Sequence, residues 1–153
     1  MKRYETITII DPDVSEDTRG QFLDRITNII TQKEGYLAKL DLWGMKKLAY
    51  EVRKKSRGYY VLFDFLGNGE IVDEMERIFR IDDRCIKFMT ILLAEKNVTI
   101  EGVKEEIAQK EAAQRAKAAE REAQEKLAQE RKDDDDDDAS DSVDFSDADD
   151  MEE

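Results

Sequence analysis

Phe22, Leu23, Ile26, Ile29 and Ile30 fall at i, i+1, i+4, i+7 and i+8, and Ile71, Val72, Met75, Ile78 and Phe79 repeat that spacing with a displacement of 49 residues, from Phe22 to Ile71. Each set forms one apolar stripe on a 3.6-residue repeat, which predicts two amphipathic helices. Ser15 is a fitting N-cap for the first, with Glu16 and Asp17 in the opening turn, where carboxylates oppose the positive helix end, and Gly35 is a natural stop. The remaining apolar runs are β-branched and aromatic. Tyr4 to Ile10 reads as a strand closed by Asp11-Pro12-Asp13, because Pro cannot donate to a ladder. Tyr36 to Val52 reads as one long strand bent at Gly44, Lys54 to Gly58 as a turn, Tyr59 to Leu66 as the strongest strand, and Ile86 to Leu93 as the last.

The order is therefore strand-helix-strand twice over. This is the ferredoxin-like βαββαβ arrangement, an α+β fold whose right-handed crossovers put both helices on one face of a four-stranded antiparallel sheet. The opposite face is left bare. In the first strand Ile7 and Ile9 point one way while Tyr4, Thr6, Thr8 and Ile10 point the other, and in the last strand Ile86 and Phe88 oppose Met89 and Ile91. Both faces thus carry apolar content, which points to a partner over the second.

Beyond residue 96 the composition changes. Residues 97–132 are rich in Ala, Glu, Gln, Lys and Arg, with Val103, Ile107 and Leu127 the only large apolar residues past 100 and no heptad seam, so this extension reads as a solvated helix or a disordered stretch with nothing to pack on. Residues 133–153 hold 13 acids and no base, and read as a disordered acidic tail. Residues 1–100 hold 17 bases and 17 acids, and residues 101–132 hold 8 and 8, so the net charge of −13 belongs to the tail alone. A neutral domain can still carry a basic patch. Between Lys46 and Arg57, six residues are basic against the single acid Glu51, interleaved with Leu48, Ala49 and Tyr50. Positive charge beside an aromatic favours nucleic acid or an acidic partner over a merely solubilised edge strand.

Catalytic readings are weak. Asp11-Pro12-Asp13 and Asp82-Asp83 follow apolar runs and read as turn and cap chemistry, Gly67-Asn68-Gly69 is too short to cradle a phosphate, and Cys85 has no His to activate it. The chain has no His and one Cys, so neither a disulfide nor a metal site is expected, and no cofactor or small-molecule substrate is called for. No apolar stretch reaches membrane-spanning length, and the expected setting is cytoplasmic. An RNA-recognition motif shares the element order and Arg57-Gly58-Tyr59 opens like its aromatic segment, but Val61 and Thr6 or Thr8 stand where further aromatics should be. A free single-strand RNA binder and an acidic-tailed chaperone for basic clients remain as alternatives.

From Trp43 through Gly44, Met45, Lys46, Lys47, Leu48, Ala49, Tyr50 and Glu51 to Val52, the chain resembles the signature of the bacterial small-subunit ribosomal protein S-six family, with Glu51 where that family usually has Pro. Lys2-Arg3-Tyr4-Glu5, Asp11-Pro12-Asp13, Gly58-Tyr59-Tyr60 and Phe79-Arg80-Ile81-Asp82-Asp83 resemble other segments of the family in the same order, so the resemblance covers residues 1 to about 95. It implies a non-enzymatic, ribosome-associated protein that binds small-subunit ribosomal RNA in the central platform together with ribosomal protein S-eighteen. On that reading Lys2, Arg3, Tyr4, Lys46 and Lys87 are the expected RNA contacts, and Lys47, Tyr50, Leu93 and Glu95 the expected partner-protein contacts.

Overall fold

In the computed structural model, which describes residues 1–96 and 98–137, the chain runs β1 (Lys2–Ile10), α1 (Glu16–Gln32), β2 (Tyr36–Val52), β3 (Lys55–Gly67), α2 (Gly69–Ile81), β4 (Cys85–Ala94) and α3 (Ile100–Asp137). The strands form one antiparallel sheet in the order β2-β3-β1-β4. This is the expected ferredoxin-like arrangement. Ser15 caps α1, its hydroxyl accepting from the Thr18 amide at 3.3 Å, and Asn68 caps α2, its side-chain oxygen accepting from the Ile71 amide at 3.2 Å. A 17-residue helix is marginal alone, so what holds α1 is the burial of Phe22, Leu23, Ile26, Ile29 and Ile30, each worth about 1.5–3 kcal/mol. They pack with Ile71, Met75, Ile78 and Phe79 of α2 onto Ile10, Val61, Phe63, Phe65 and Cys85 of the sheet.

The sheet's second face is shaped by two elements that the periodicity did not anticipate. The first is the β2–β3 hairpin, which outruns β1: Ile10 pairs with Tyr59, while the hairpin continues through Lys46↔Gly58 and Lys47↔Arg57 to Val52↔Lys55. Its tip is a two-residue turn, Arg53 and Lys54, both left-handed at φ 49° and 62°, so Lys55 and Arg57 belong to the strand and not to the turn expected over 54–58. Gly44, at φ +83°, sits beside an irregularity in the β2–β3 ladder. Beyond it, Leu48 is buried against Ile9 and Ile86, with Val52 and Tyr60 packed alongside, so the arm closes over the sheet. The backbone must approach closely here, since a Cβ on Gly58 would lie 2.3 Å from Ile9 Cγ2.

The second element is the start of α3. The expectation that residues past 96 have nothing to pack on is corrected for the first turns: Val103 is buried, and Glu106 reaches Arg3. Val103 is one of the few large apolar residues of the extension, and one buried apolar residue at a helix start suffices to dock one turn. The unit Met1–Ala108 therefore includes these turns. From Gln109 onward α3 forms a separate unit whose described side chains, to Ala128, are almost all exposed, and the helix continues into the aspartate run as far as Asp137. The remainder of the acidic tail, 138–153, lies outside the described residues. Among the described residues no helix is long and apolar enough to cross a membrane.

Candidate nucleic-acid interface

The open face is built from every second residue. On β1 these are Arg3, Glu5, Ile7 and Ile9, and strand register sets Leu66, Asp64, Leu62 and Tyr60 of β3 opposite them. On β4, Ile91, Met89 and Lys87 lie opposite Glu5, Ile7 and Ile9. Met89 and Ile91 are both exposed, as are Leu92 and Leu93 on the same edge strand. Bare apolar side chains do lie on this face, but its two ends differ.

At the β1 start, Arg3 donates from Nε and Nη2 to the two carboxylate oxygens of Asp64 at 3.0 and 2.6 Å, and from Nη1 to Glu106 at 2.6 Å. The side chains of Arg3 and Asp64 are only 9% and 8% exposed. Asp64, first, and Glu106 hold the guanidinium's pKa above its ordinary value against the opposing effect of burial. This cation is spent internally and has no donor pair turned to solvent. The hint in the sequence was Asp64 itself, a lone acid inside the most apolar strand, which burial tolerates only with a charged partner.

At the other end a row crosses all four strands. Trp43 of β2 stacks on Tyr60 of β3 with ring centroids 6.3 Å apart and planes 14° from parallel; Tyr60 pairs with Ile9 of β1, and Ile9 with Lys87 of β4. Lys46 Nζ lies 4.9 Å over the Trp43 ring, and Lys87 Nζ lies 5.0 Å over the Tyr50 ring and donates to its hydroxyl. Lys46, Lys47, Arg57 and Lys87 form no ion pair with any carboxylate among the described residues. Lys46 and Lys87 lie instead against aromatic rings, which are weak partners and easily exchanged for a phosphate.

The other expected site residues fall as follows. Lys2 pairs with Glu95 at 3.3 Å, both well exposed. Tyr4 faces the helices and stacks on Phe65 at 5.6 Å, so its ring is core, not interface. Lys47 and Tyr50 lie exposed on the hairpin and Leu93 on edge strand β4. The structure thus brings Lys46, Tyr50 and Lys87 to one end of the face, leaves Lys2, Leu93 and Glu95 at the other, and withdraws Arg3 and Tyr4. Trp43, Tyr60 and Arg57 complete the cationic end; Trp43 and Tyr60 were readable only as strand residues, since their stacking depends on register.

The carboxylate pairs do structural work. The Asp13 amide donates to Asp11 Oδ1 at 2.9 Å, and both acids pair with Lys55. Asp82 accepts from the Arg84 guanidinium at 2.6 and 2.8 Å and from its amide at 3.1 Å, contacts that pull its pKa below the ordinary carboxylate value. Cys85 is buried beside the Thr8 hydroxyl, and burial pushes its thiol pKa up, away from nucleophilic use.

Comparison with known proteins bears on the whole domain. The family model of ribosomal protein S6 matches residues 3–92. The chain belongs to that family. A small ribosomal subunit protein bS6 of Desulfatibacillum aliphaticivorans is 52% identical over 109 residues, 71% of this chain and 58% of the relative; that of Desulfosudis oleivorans is 46% identical over 110 residues, 72% and 65%. The chain thus spans about three-fifths of the length of these relatives, whereas it covers 94% of the shorter protein of Nitratidesulfovibrio vulgaris, at 40% identity. The crystal structure of the 30S ribosomal protein S6 from Thermotoga maritima matches with a TM-score of 0.57 at 28% identity, covering 71% of this chain and 97% of that one. The family is a structural component of the small ribosomal subunit and not an enzyme.

Proposed function

We propose that the chain binds small-subunit ribosomal RNA in the central platform of the ribosome, jointly with ribosomal protein S-eighteen, in the cytoplasm. The observation that carries this reading is the open-face row ending in Lys46 and Lys87, whose ammonium groups rest on aromatic rings and have no carboxylate partner among the described residues. Lys46 and Lys87 neutralise phosphates, with Lys2 as a peripheral contact. Arg3 and Tyr4 act through the fold and do not touch RNA. Lys47, Tyr50, Leu93 and Glu95 serve the protein partner, with the exposed apolar edge of β4 from Met89 to Leu93 supplying the area that such a contact needs. The 13 acids of residues 133–153 offer RNA no favourable charge.

The test is co-sedimentation of the full chain with small subunits through a sucrose gradient at moderate salt. The full chain travels with the subunit, whereas a variant carrying Lys46→Ala and Lys87→Ala is depleted and its salt dependence of RNA binding flattens by about 2 in log–log slope. A full chain that remains at the top of the gradient overturns the reading.

A further inference from the structure

We infer that Trp43 and Lys46 form a stacking platform for an unpaired RNA base, so that the RNA met at this end of the sheet is single-stranded and not duplex. The inference rests on the RNA-binding reading and names the class of RNA at that site. Trp43 lies at the ladder irregularity beside Gly44 and is 40% exposed although its ring stacks on Tyr60. A centroid separation of 6.3 Å between near-parallel rings is an offset stack, so Tyr60 orients the indole and covers only part of it. Pinned in this way, the indole loses little freedom when a ligand arrives.

What occupies the ring now is the Lys46 ammonium, at 4.9 Å. An exposed cation–π contact is weak, and a base displaces it readily, after which the ammonium can turn to the phosphate of the same nucleotide. Charge argues for the same occupant. Between Lys46 and Arg57 five bases stand against one acid once Lys55, paired with Asp11 and Asp13, is set aside; that balance suits a polyanion, and an aromatic face beside it suits a base that is free to unstack. Bases inside a duplex offer no such face, and A-form grooves do not admit an indole to their stack. A protein partner over Trp43 would gain from the aromatic but not from the uncompensated lysines.

Trp43 is the only tryptophan in the chain, so its emission reports on this site alone. The full chain is titrated with an oligoadenylate of about ten nucleotides and with a duplex of equal length, following both Trp43 fluorescence and the anisotropy of labelled RNA. The expected result is quenching by the single strand and none by the duplex. Trp43→Leu weakens single-strand binding roughly tenfold with an unchanged denaturation midpoint, and Trp43→Phe restores much of it. Single-strand binding that leaves Trp43 emission unchanged and survives Trp43→Leu overturns the platform while leaving the ribosomal reading intact. So does quenching that appears only when S-eighteen is added, which assigns the ring to protein. Failure to bind any RNA, small-subunit ribosomal RNA included, removes the ribosomal reading and the platform with it.

Discussion

The two ends of the open sheet face carry cations in opposite circumstances. At the start of β1, Arg3 is buried, forked onto Asp64 and capped by Glu106, so its charge is cancelled within the chain. Toward the end of β1, Lys46 and Lys87 sit on aromatic rings, positive and accessible. Sequence position does not separate them, since all three are basic residues on strands of one sheet. The difference lies in what each side chain meets: Arg3 reaches diagonally to Asp64, the acid that register sets opposite Glu5, whereas Lys46 and Lys87 meet Trp43 and Tyr50. A basic residue is therefore an RNA candidate only once its neighbours across the ladder are known.

Removing Asp64 tests the closed end and has the largest expected effect. Asp64→Ala leaves Arg3 buried beside a single, half-exposed carboxylate and costs about 3–5 kcal/mol, seen as a lower denaturant midpoint. A loss below about 1 kcal/mol breaks the contrast, because Arg3 would then be acting like a surface cation.

At the accessible end the corresponding structural residue is apolar. Leu48→Ala unclamps the hairpin arm from Ile9 and Ile86 and costs about 2–3 kcal/mol, a little less than the Asp64 change because the site lies at the edge of the fold. RNA affinity also falls, since that arm carries Lys46 and the Tyr50 against which Lys87 rests. Retention of full affinity in a destabilised variant would mean that the arm's placement is irrelevant to binding.

A smaller effect is expected from acid. The folded pKa of Asp82 lies below its ordinary value, chiefly through the hydrogen bond from Arg84, so its contribution to stability is complete above the ordinary carboxylate range and is lost as pH falls through the lowered value. Asp82→Asn should therefore make the decline in stability below about pH 4 shallower, without altering RNA binding at neutral pH. An unchanged acid limb counts against the Asp82–Arg84 contact. Least of all is expected from Lys2→Ala, which breaks an exposed pair with Glu95 worth at most about 1 kcal/mol and lowers the salt slope by no more than about 1.

The fold was legible because its signals are local and repeated. Two apolar stripes of identical spacing, the Ser15 cap of the first and the strand-like runs between them determine element type and order, and topology follows from handedness. The site was half legible. Charge and aromatic interleaving marked Lys46, Lys47 and Tyr50, and the family resemblance added Lys87, whereas the burial of Arg3 and Tyr4 is decided in three dimensions: Tyr4 alternates onto the helix side, and the partners of Arg3 are 61 and 103 residues away. Val103 was noticed as an apolar residue without a seam, yet one buried side chain is too faint a pattern to announce a docked turn.

The hairpin tip has a further consequence. A two-residue turn of this hand is most comfortable with Asn-Gly, whereas Arg53 and Lys54 each stand in the left-handed region at a cost of about 1–2 kcal/mol. Relaxing that turn with Asn-Gly would remove two positive charges from the outermost point of the arm, so conformational ease and electrostatic reach are opposed at this one place. The chain holds the tighter, more highly charged tip, which means that its arm can be made firmer only by making it less attractive to a polyanion.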